Sequence, residues 1–265
     1  MRNIEKTTTQ SGLSNEKYFE KREVWAELTE GEQRRIEETL ALLPEDVDGI
    51  LNIGCGDGRV TRTISERHRI VGVDLSFTAL KLFHDSAAVG SIDALPFRDR
   101  SVDLALVTEV LEHLPQPIYD KALQEVQRVA DRYILITVPY KEVLEANFLR
   151  CHQCDLLYHA WNHLRTFSRS NTSDLLKGFS VVAATELGLK TPNVPRWMYK
   201  LLHSLGKTWS ESSSSLCPRC GASHQPRKDG NLFGSFWKRV VWRLYDLAPV
   251  KRSTFIGILY QREKG

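Results

Sequence analysis
The chain reads as an α/β protein built on a seven-stranded, mostly parallel sheet with one zinc-binding insertion, and three observations predict this. Five short apolar runs, at about 49–53, 69–73, 88–92, 102–107 and 132–138, are separated by segments of helical periodicity. The first run, Ile50-Leu51-Asn52-Ile53, ends in Gly54, Gly56 and Gly58, and the second ends in Asp74. Two further β-rich runs, Phe179 to Ala184 and Ser253 to Tyr260, flank a stretch of different composition that holds one of two C-x-x-C pairs.

Taken in order, residues 16–43 place Tyr18, Phe19, Val24, Trp25, Leu28, Ile36, Leu40 and Leu43 at helical spacing. One or two helices are expected there, so residues 1–44 read as a helical cap over a site entrance. The run 49–53 must turn sharply into a helix, and residues without side chains let a ligand approach the backbone closely at such a turn. Asp74, at the tip of the next strand and roughly 20 residues past the glycines, is placed to accept hydrogen bonds from the two hydroxyls of a ribose. The glycine order is G-x-G-x-G, not the G-x-G-x-x-G that sets a dinucleotide's pyrophosphate on a helix N-terminus. Pro139 closes the fifth strand, and a helix is expected through Leu175-Leu176 before the sixth.

This glycine spacing resembles motif I of the class I S-adenosylmethionine methyltransferases, type 11-like, and the likeness continues downstream. Ser91-Ile92-Asp93-Ala94-Leu95-Pro96-Phe97 looks like their adenine-binding segment, and Ser101 to Val107 like their fourth strand. The resemblance implies a Rossmann-like core and S-adenosylmethionine as cofactor, held by Asn52, Gly54, Cys55, Gly56, Gly58, Asp74, Leu75, Asp93, Ala94 and Thr108. In that family the Asp93 position accepts from the adenine amino group, and the last two strands form an antiparallel hairpin at a sheet edge. The core is then 45–187 plus 252–265, and 188–251 an insertion.

Four of the five cysteines form the pairs Cys151-His152-Gln153-Cys154 and Cys217-Pro218-Arg219-Cys220. Two such knuckles complete a four-thiolate site that suits structural zinc, pinning the insertion to the core. A redox C-x-x-C opens a helix after a strand, and neither pair does. Cys55 is left over in the glycine loop, where a small buried residue fits. No apolar run approaches the roughly 18 residues of a membrane span, and residues 1–15 lack the apolar centre of a secretory signal, so a cytoplasmic protein is expected.

Glu109, Glu112 and His113 follow the fourth strand, at the sheet end where ligands bind in open α/β folds. On a helix they would share one face. Residues 159–167, which include His163, are expected to fold back over them. This Glu-x-x-Glu-His with a later His is similar to the ubiquinone-pathway O-methyltransferases and to the small-RNA 3′-terminal 2′-O-methyltransferases. There a divalent ion holds vicinal hydroxyls and lowers the pKa of the one methylated. The resemblance thus implies Mg or Mn at Glu109, Glu112, His113 and His163. Other members of the broad family carry Glu-His-Leu here without a metal, the Glu facing solvent and the His shaping the pocket; Glu112 is then exposed, and His113 or His163 is a direct acid/base or a structural group.

The net charge is +3, but between Lys190 and Lys251 eleven basic residues face three acids, so this stretch is +8 and the remainder −5. Pro195 to Leu202 and Ser235 to Tyr245 read as amphipathic helices, the second with Lys238, Arg239 and Arg243 opposite its apolar face. Such helices lie at membrane surfaces, close over lipid-linked or glycan substrates, or pack on a core. The resulting reading is a methyltransferase that O-methylates a hydroxyl of a small molecule or sugar-containing metabolite. Its rivals are an RNA methyltransferase of the 2′-O type, disfavoured by the modest net charge, and a non-catalytic binding scaffold of the same fold.

Overall fold
The computed structural model describes residues 19–20, 29–65, 67–83, 86–192, 194–205, 215–225, 232–247 and 251–264. Five parallel strands form the body of the sheet: β1 (Gly49–Ile53), β2 (Arg69–Asp74), β3 (Ala87–Val89), β4 (Val102–Thr108) and β5 (Ala130–Pro139). A small antiparallel hairpin, β6 (Phe148–Arg150) and β7 (Leu157–His159), stands apart from it. The chain returns as β8 (Phe179–Pro192) and β9 (Lys251–Arg262), with β9 inserted antiparallel between β5 and β8. The order is β3-β2-β1-β4-β5-β9-β8, the predicted seven-stranded, mostly parallel sheet.

Period-two alternation explains how the sheet is buried on both faces. Leu51, Ile53, Ala105, Val107, Ile134 and Ile136 pack one face against Ala122, Val126 and Val129 of helix α4 (Gln116–Val129). Their neighbours Ile50, Leu104, Leu106 and Leu135 point the other way, towards Ile36 of α1 (Glu30–Leu40) and Val60 and Ile64 of α2 (Arg59–Ile64). Strand order reverses between β1 and β4, so a cleft opens at their carboxyl ends.

Several connections differ from the sequence reading. Between β2 and β3 the described residues form only the four-residue helix α3 (Phe77–Leu80), capped by Ser76. Between β3 and β4 there is no helix at all. Arg128 pins that loop by donating to the carbonyls of Leu95 and Phe97, while Glu125 accepts from the Leu95 amide, so side chains of α4 hold what a helix would otherwise organise. The helix expected through Leu175-Leu176 is the single turn α5 (Arg169–Thr172). Asn171, Thr172, Ser173 and Asp174 compete for the backbone and favour turns over helix continuation; Leu176 is nevertheless buried.

The expected insertion boundary also moves. Residues 188–192 stay in the sheet, since Lys190 pairs with Ser253 and Pro192 with Lys251. Gly188, at φ +77°, accommodates the register shift that lets β8 continue past Leu187. The rest of the insertion holds α6 (Arg196–Ser204) and α7 (Leu232–Leu247), which pack through Met198, Tyr199, Leu202, Val241, Trp237 and Tyr245. Of the expected cap before Thr29, only Phe19 and Glu20 fall among the described residues.

Candidate active site
The cleft has two halves, and the first is made mostly of backbone. Past β1 the amides of Gly54 and Cys55 both donate to the carbonyl of Val73, at 2.7 and 3.1 Å, and bring the loop over the end of β2. Gly54 sits at φ +73°, and a Cβ there would lie 2.2 Å from Val110 Cγ2. Gly58 caps α2 at φ +81° with Phe83 where its Cβ would be. Asp74 is held from two sides: its Oδ2 accepts from the Gly56 amide and its Oδ1 from the Ser76 amide, both at 2.8 Å. Burial raises its pKa against the pull of these donors. Cys55 packs buried against Gly72, and burial pushes its thiol up, which removes it as a nucleophile.

The second half is made of buried ionisable side chains. Glu109 takes φ +57°, its amide donating to the Thr137 carbonyl at 3.0 Å, and Leu111–His113 is a 3-10 turn. The expected shared helix face therefore does not form. Glu109 Oε1 accepts from Thr137 Oγ1 and lies 3.6 Å from Arg35 Nη1 of α1. Glu112 and His113 instead converge with His163, their ligand atoms all within 4.8 Å of one another. Glu112 is fully buried, and neither carboxylate oxygen has a hydrogen-bond partner among the described residues. Burial, then the charge of Glu109, lifts its pKa well above the carboxylate range. Burial, then His163 and His159, holds His113 well below the usual imidazole value.

His163 arrives on the loop that follows β7. The Leu164 amide donates to the Glu112 carbonyl and Arg165 Nη1 to that of Leu111, both at 2.8 Å, so this loop is fastened directly onto the 3-10 turn. Glu142, three residues past Pro139, accepts from both His163 Nδ1 and His159 Nε2. Burial works to raise the Glu142 pKa, but these two bonds overcome it and hold the carboxyl well below its ordinary value.

Behind that loop lies the cysteine cluster. Cys151 and Cys154 occupy the turn between β6 and β7, and β7 runs straight on to His159. Cys151 Sγ lies 3.5 Å from Cys220 Sγ, and Cys154 Sγ 3.5 Å from Cys217 Sγ, with all four within 4.8 Å. Tetrahedral zinc with Zn–S bonds of about 2.3 Å spaces its sulfurs roughly 3.8 Å apart, so the donor set fits. Burial opposes ionisation of Cys151, but the amides of Cys154 and Gln153 bring its thiol down to about 7. His152 lies in the same turn but outside the cluster.

Residues 51–132 match the family described as a methyltransferase domain. This part of the chain is a class I S-adenosylmethionine methyltransferase domain. A malonyl-[acyl-carrier protein] O-methyltransferase from Coxiella burnetii is 41% identical over 58 residues, a match that spans about a fifth (21%) of each chain. Among solved structures, a Burkholderia thailandensis 1,6-didemethyltoxoflavin-N1-methyltransferase aligns over 97% of this chain and 88% of its own, with a TM-score of 0.53 and 15% identity. The [4+2]-cyclase SpnF aligns over 91% and 84%, also at 0.53, with 16% identity. At such identities the likeness is one of fold.

In this methyltransferase domain a cavity of about 350 Å³ spans both halves. Of the residues expected to hold the cofactor, Gly54, Cys55, Gly56, Asp74, Leu75 and Thr108 line it. Asn52, Gly58, Asp93 and Ala94 are not among its lining residues. Asn52 is buried and donates to Thr61 Oγ1, tying β1 to α2, while Asp93 accepts from the Ser91 hydroxyl, and that segment reaches the cavity through Ser91 and Ile92. Of the acceptor-side residues, Glu109 and His113 line it. The sequence reading did not single out Glu32 and Arg35, which α1 brings to the wall, nor Glu142. An acid just beyond the carboxyl end of a parallel strand was the available signal for Glu142.

Proposed function
We propose that the chain methylates a hydroxyl group of a small-molecule or sugar-containing acceptor, with S-adenosylmethionine as donor. One observation carries this: a single cavity runs from the Asp74 and Gly54 loop to Glu109 and His113, so a bound nucleoside and these two acid/base groups share one space. When bound, S-adenosylmethionine supplies a methyl group on a sulfonium. The glycine loop and Asp74 orient that donor towards the acceptor end of the cavity, which favours in-line displacement. A hydroxyl nucleophile must lose its proton, and the imidazoles of His113 and His163 are the candidate bases to take it. The buried, unpartnered Glu112 with two imidazoles also fits a divalent ion such as Mg or Mn, whose charge would lower the pKa of a hydroxyl brought to it.

The four thiolates support a structural zinc that holds the hairpin β6–β7, and with it His159 and His163, against the insertion. Ser215 Oγ, two residues before Cys217, donates to the Ala160 carbonyl and adds to this clamp. Free thiolates of this kind support a reducing, cytoplasmic setting. No helix among the described residues is long and apolar enough to cross a membrane. Trp197, Phe236, Trp242 and Leu247 are nevertheless exposed on α6 and α7 beside Arg239 and Arg243, which supports contact with a lipid-linked acceptor or an anionic surface.

The test is transfer from labelled S-adenosylmethionine to hydroxylated metabolites, glycans and RNA, before and after a mild chelator. Label is expected on the non-RNA acceptors, lost on chelation and restored by Mg²⁺ or Mn²⁺, with one zinc per chain retained throughout. Transfer that survives chelation removes the divalent ion and leaves histidine as the base. Transfer to RNA alone, or to nothing despite cofactor binding, overturns the proposal.

A further inference from the structure
Two overlapping groups of three could each hold an ion: Glu112, His113 and His163, or Glu142, His159 and His163. Hydrogen-bond directions separate them. His159 Nδ1 receives the backbone amides of Trp161 and His163, at 3.3 and 3.1 Å. Backbone N–H groups only donate, so Nδ1 is the acceptor nitrogen of that ring and the proton lies on Nε2. His159 Nε2 therefore donates to Glu142 Oε1, 3.2 Å away. The same oxygen receives Asn147 Nδ2 at 2.8 Å. Glu142 Oε2 is left for His163 Nδ1, at 2.6 Å, and a carboxylate in that position requires Nδ1 to carry the proton. Every atom of the second group is thus in use except His163 Nε2.

We propose that Glu142 and His159 form a positioning unit that fixes His163 as the Nδ1-protonated tautomer and leaves its Nε2 lone pair to the cluster with Glu112 and His113. Two stacked rings, His159 and His163 at 4.6 Å and 18°, and the edge contact of His163 with His113 at 4.8 Å hold the orientation. Glu142 is then no ligand of an ion or substrate. It acts through His163, as a carboxylate behind a ligating or basic imidazole fixes its tautomer and direction. Neither a divalent ion nor a substrate proton at this cluster can use Nδ1, so either chemistry draws on the same nitrogen.

The consequence for catalysis rests on the methyl-transfer reading, whereas the tautomers themselves do not, so nitrogen NMR of the full chain with ¹⁵N-labelled histidine, in metal-free buffer, separates the two. At a pH where the rings are neutral, His163 should show a protonated Nδ1 and an unprotonated Nε2, and His159 the reverse. Glu142→Gln should turn His163 into a tautomer mixture, cut kcat at least tenfold and leave KM for S-adenosylmethionine within twofold; Glu142→Asp should restore part of both the signal and the rate. His163 protonated at Nε2 in the unaltered protein overturns the proposal, as does an unchanged tautomer in Glu142→Gln. If Glu142→Gln does not fold, the spectrum of the unaltered protein decides alone. A tautomer change with no change in kcat leaves the positioning unit standing and removes His163 from the reaction.

Discussion

The donor and acceptor halves of the cleft solve opposite problems. The Asp74 carboxylate is answered locally: amides of Gly56 and Ser76 hold it, and glycines at positive φ keep the loop low. Around Glu112 the reverse holds, with a fully buried acid that lacks any described hydrogen-bond partner beside two imidazoles. Buried polar groups are nearly always satisfied, and an orphan in a cleft marks a place finished only by what binds there. The donor half is a preformed cradle; on the proposed reading the acceptor half is completed by what binds there.

The largest effect should come from a change that strikes both halves. Gly54→Ala puts a methyl group 2.2 Å from Val110 Cγ2 at φ +73°, and Val110 leads directly into the turn that carries Glu112. Strain and overpacking together should cost about 2–4 kcal/mol, read by denaturant unfolding, with loss of both cofactor binding and turnover. Normal turnover at saturating cofactor would show the halves to be independent. Asp74→Ala should affect the donor half alone, weakening S-adenosylmethionine by about 1.5–3 kcal/mol in titration calorimetry. Unchanged affinity would take Asp74 out of the ribose site.

A third effect is confined to the acceptor half. Burial and Glu109 raise the Glu112 pKa in the folded chain, so the native state keeps a proton that the unfolded chain releases above its ordinary value of 4.5. Stability of the chelator-treated protein should therefore fall as pH rises from there towards the folded value, at up to about 1.4 kcal/mol per pH unit. Glu112→Gln carries no such proton and should gain on the unaltered chain over that window, in thermal melts read at a series of pH values. Parallel curves would mean that Glu112 ionises in place with a partner.

Legibility in the sequence followed the same divide. The donor half comes from residues 50–58 and 71–74, where apolar runs, glycines and one acid are close in the chain, and its lining could be named. The family resemblance gave Asn52 to the cofactor, whereas alternation along β1 turns it to Thr61 and α2. The acceptor half draws on 109–113, on Glu142 and on 159–165; the Glu-x-x-Glu-His pattern with a later His named Glu112, His113 and His163, which the structure brings together, while Glu142 was not named. The hairpin β6–β7 went unseen because three-residue strands are too short to show a period.

By itself the sequence determined the sheet, the glycine loop and the two thiolate pairs, because periodicity, glycine and C-x-x-C spacing act over a few residues. Tertiary structure alone decided that Cys151 meets Cys220, that Glu109 turns to Arg35, and that Glu142 stands behind His163. Those choices depend on which donor faces which acceptor across separate segments, and hydrogen-bond direction exists only once the backbone has placed both partners.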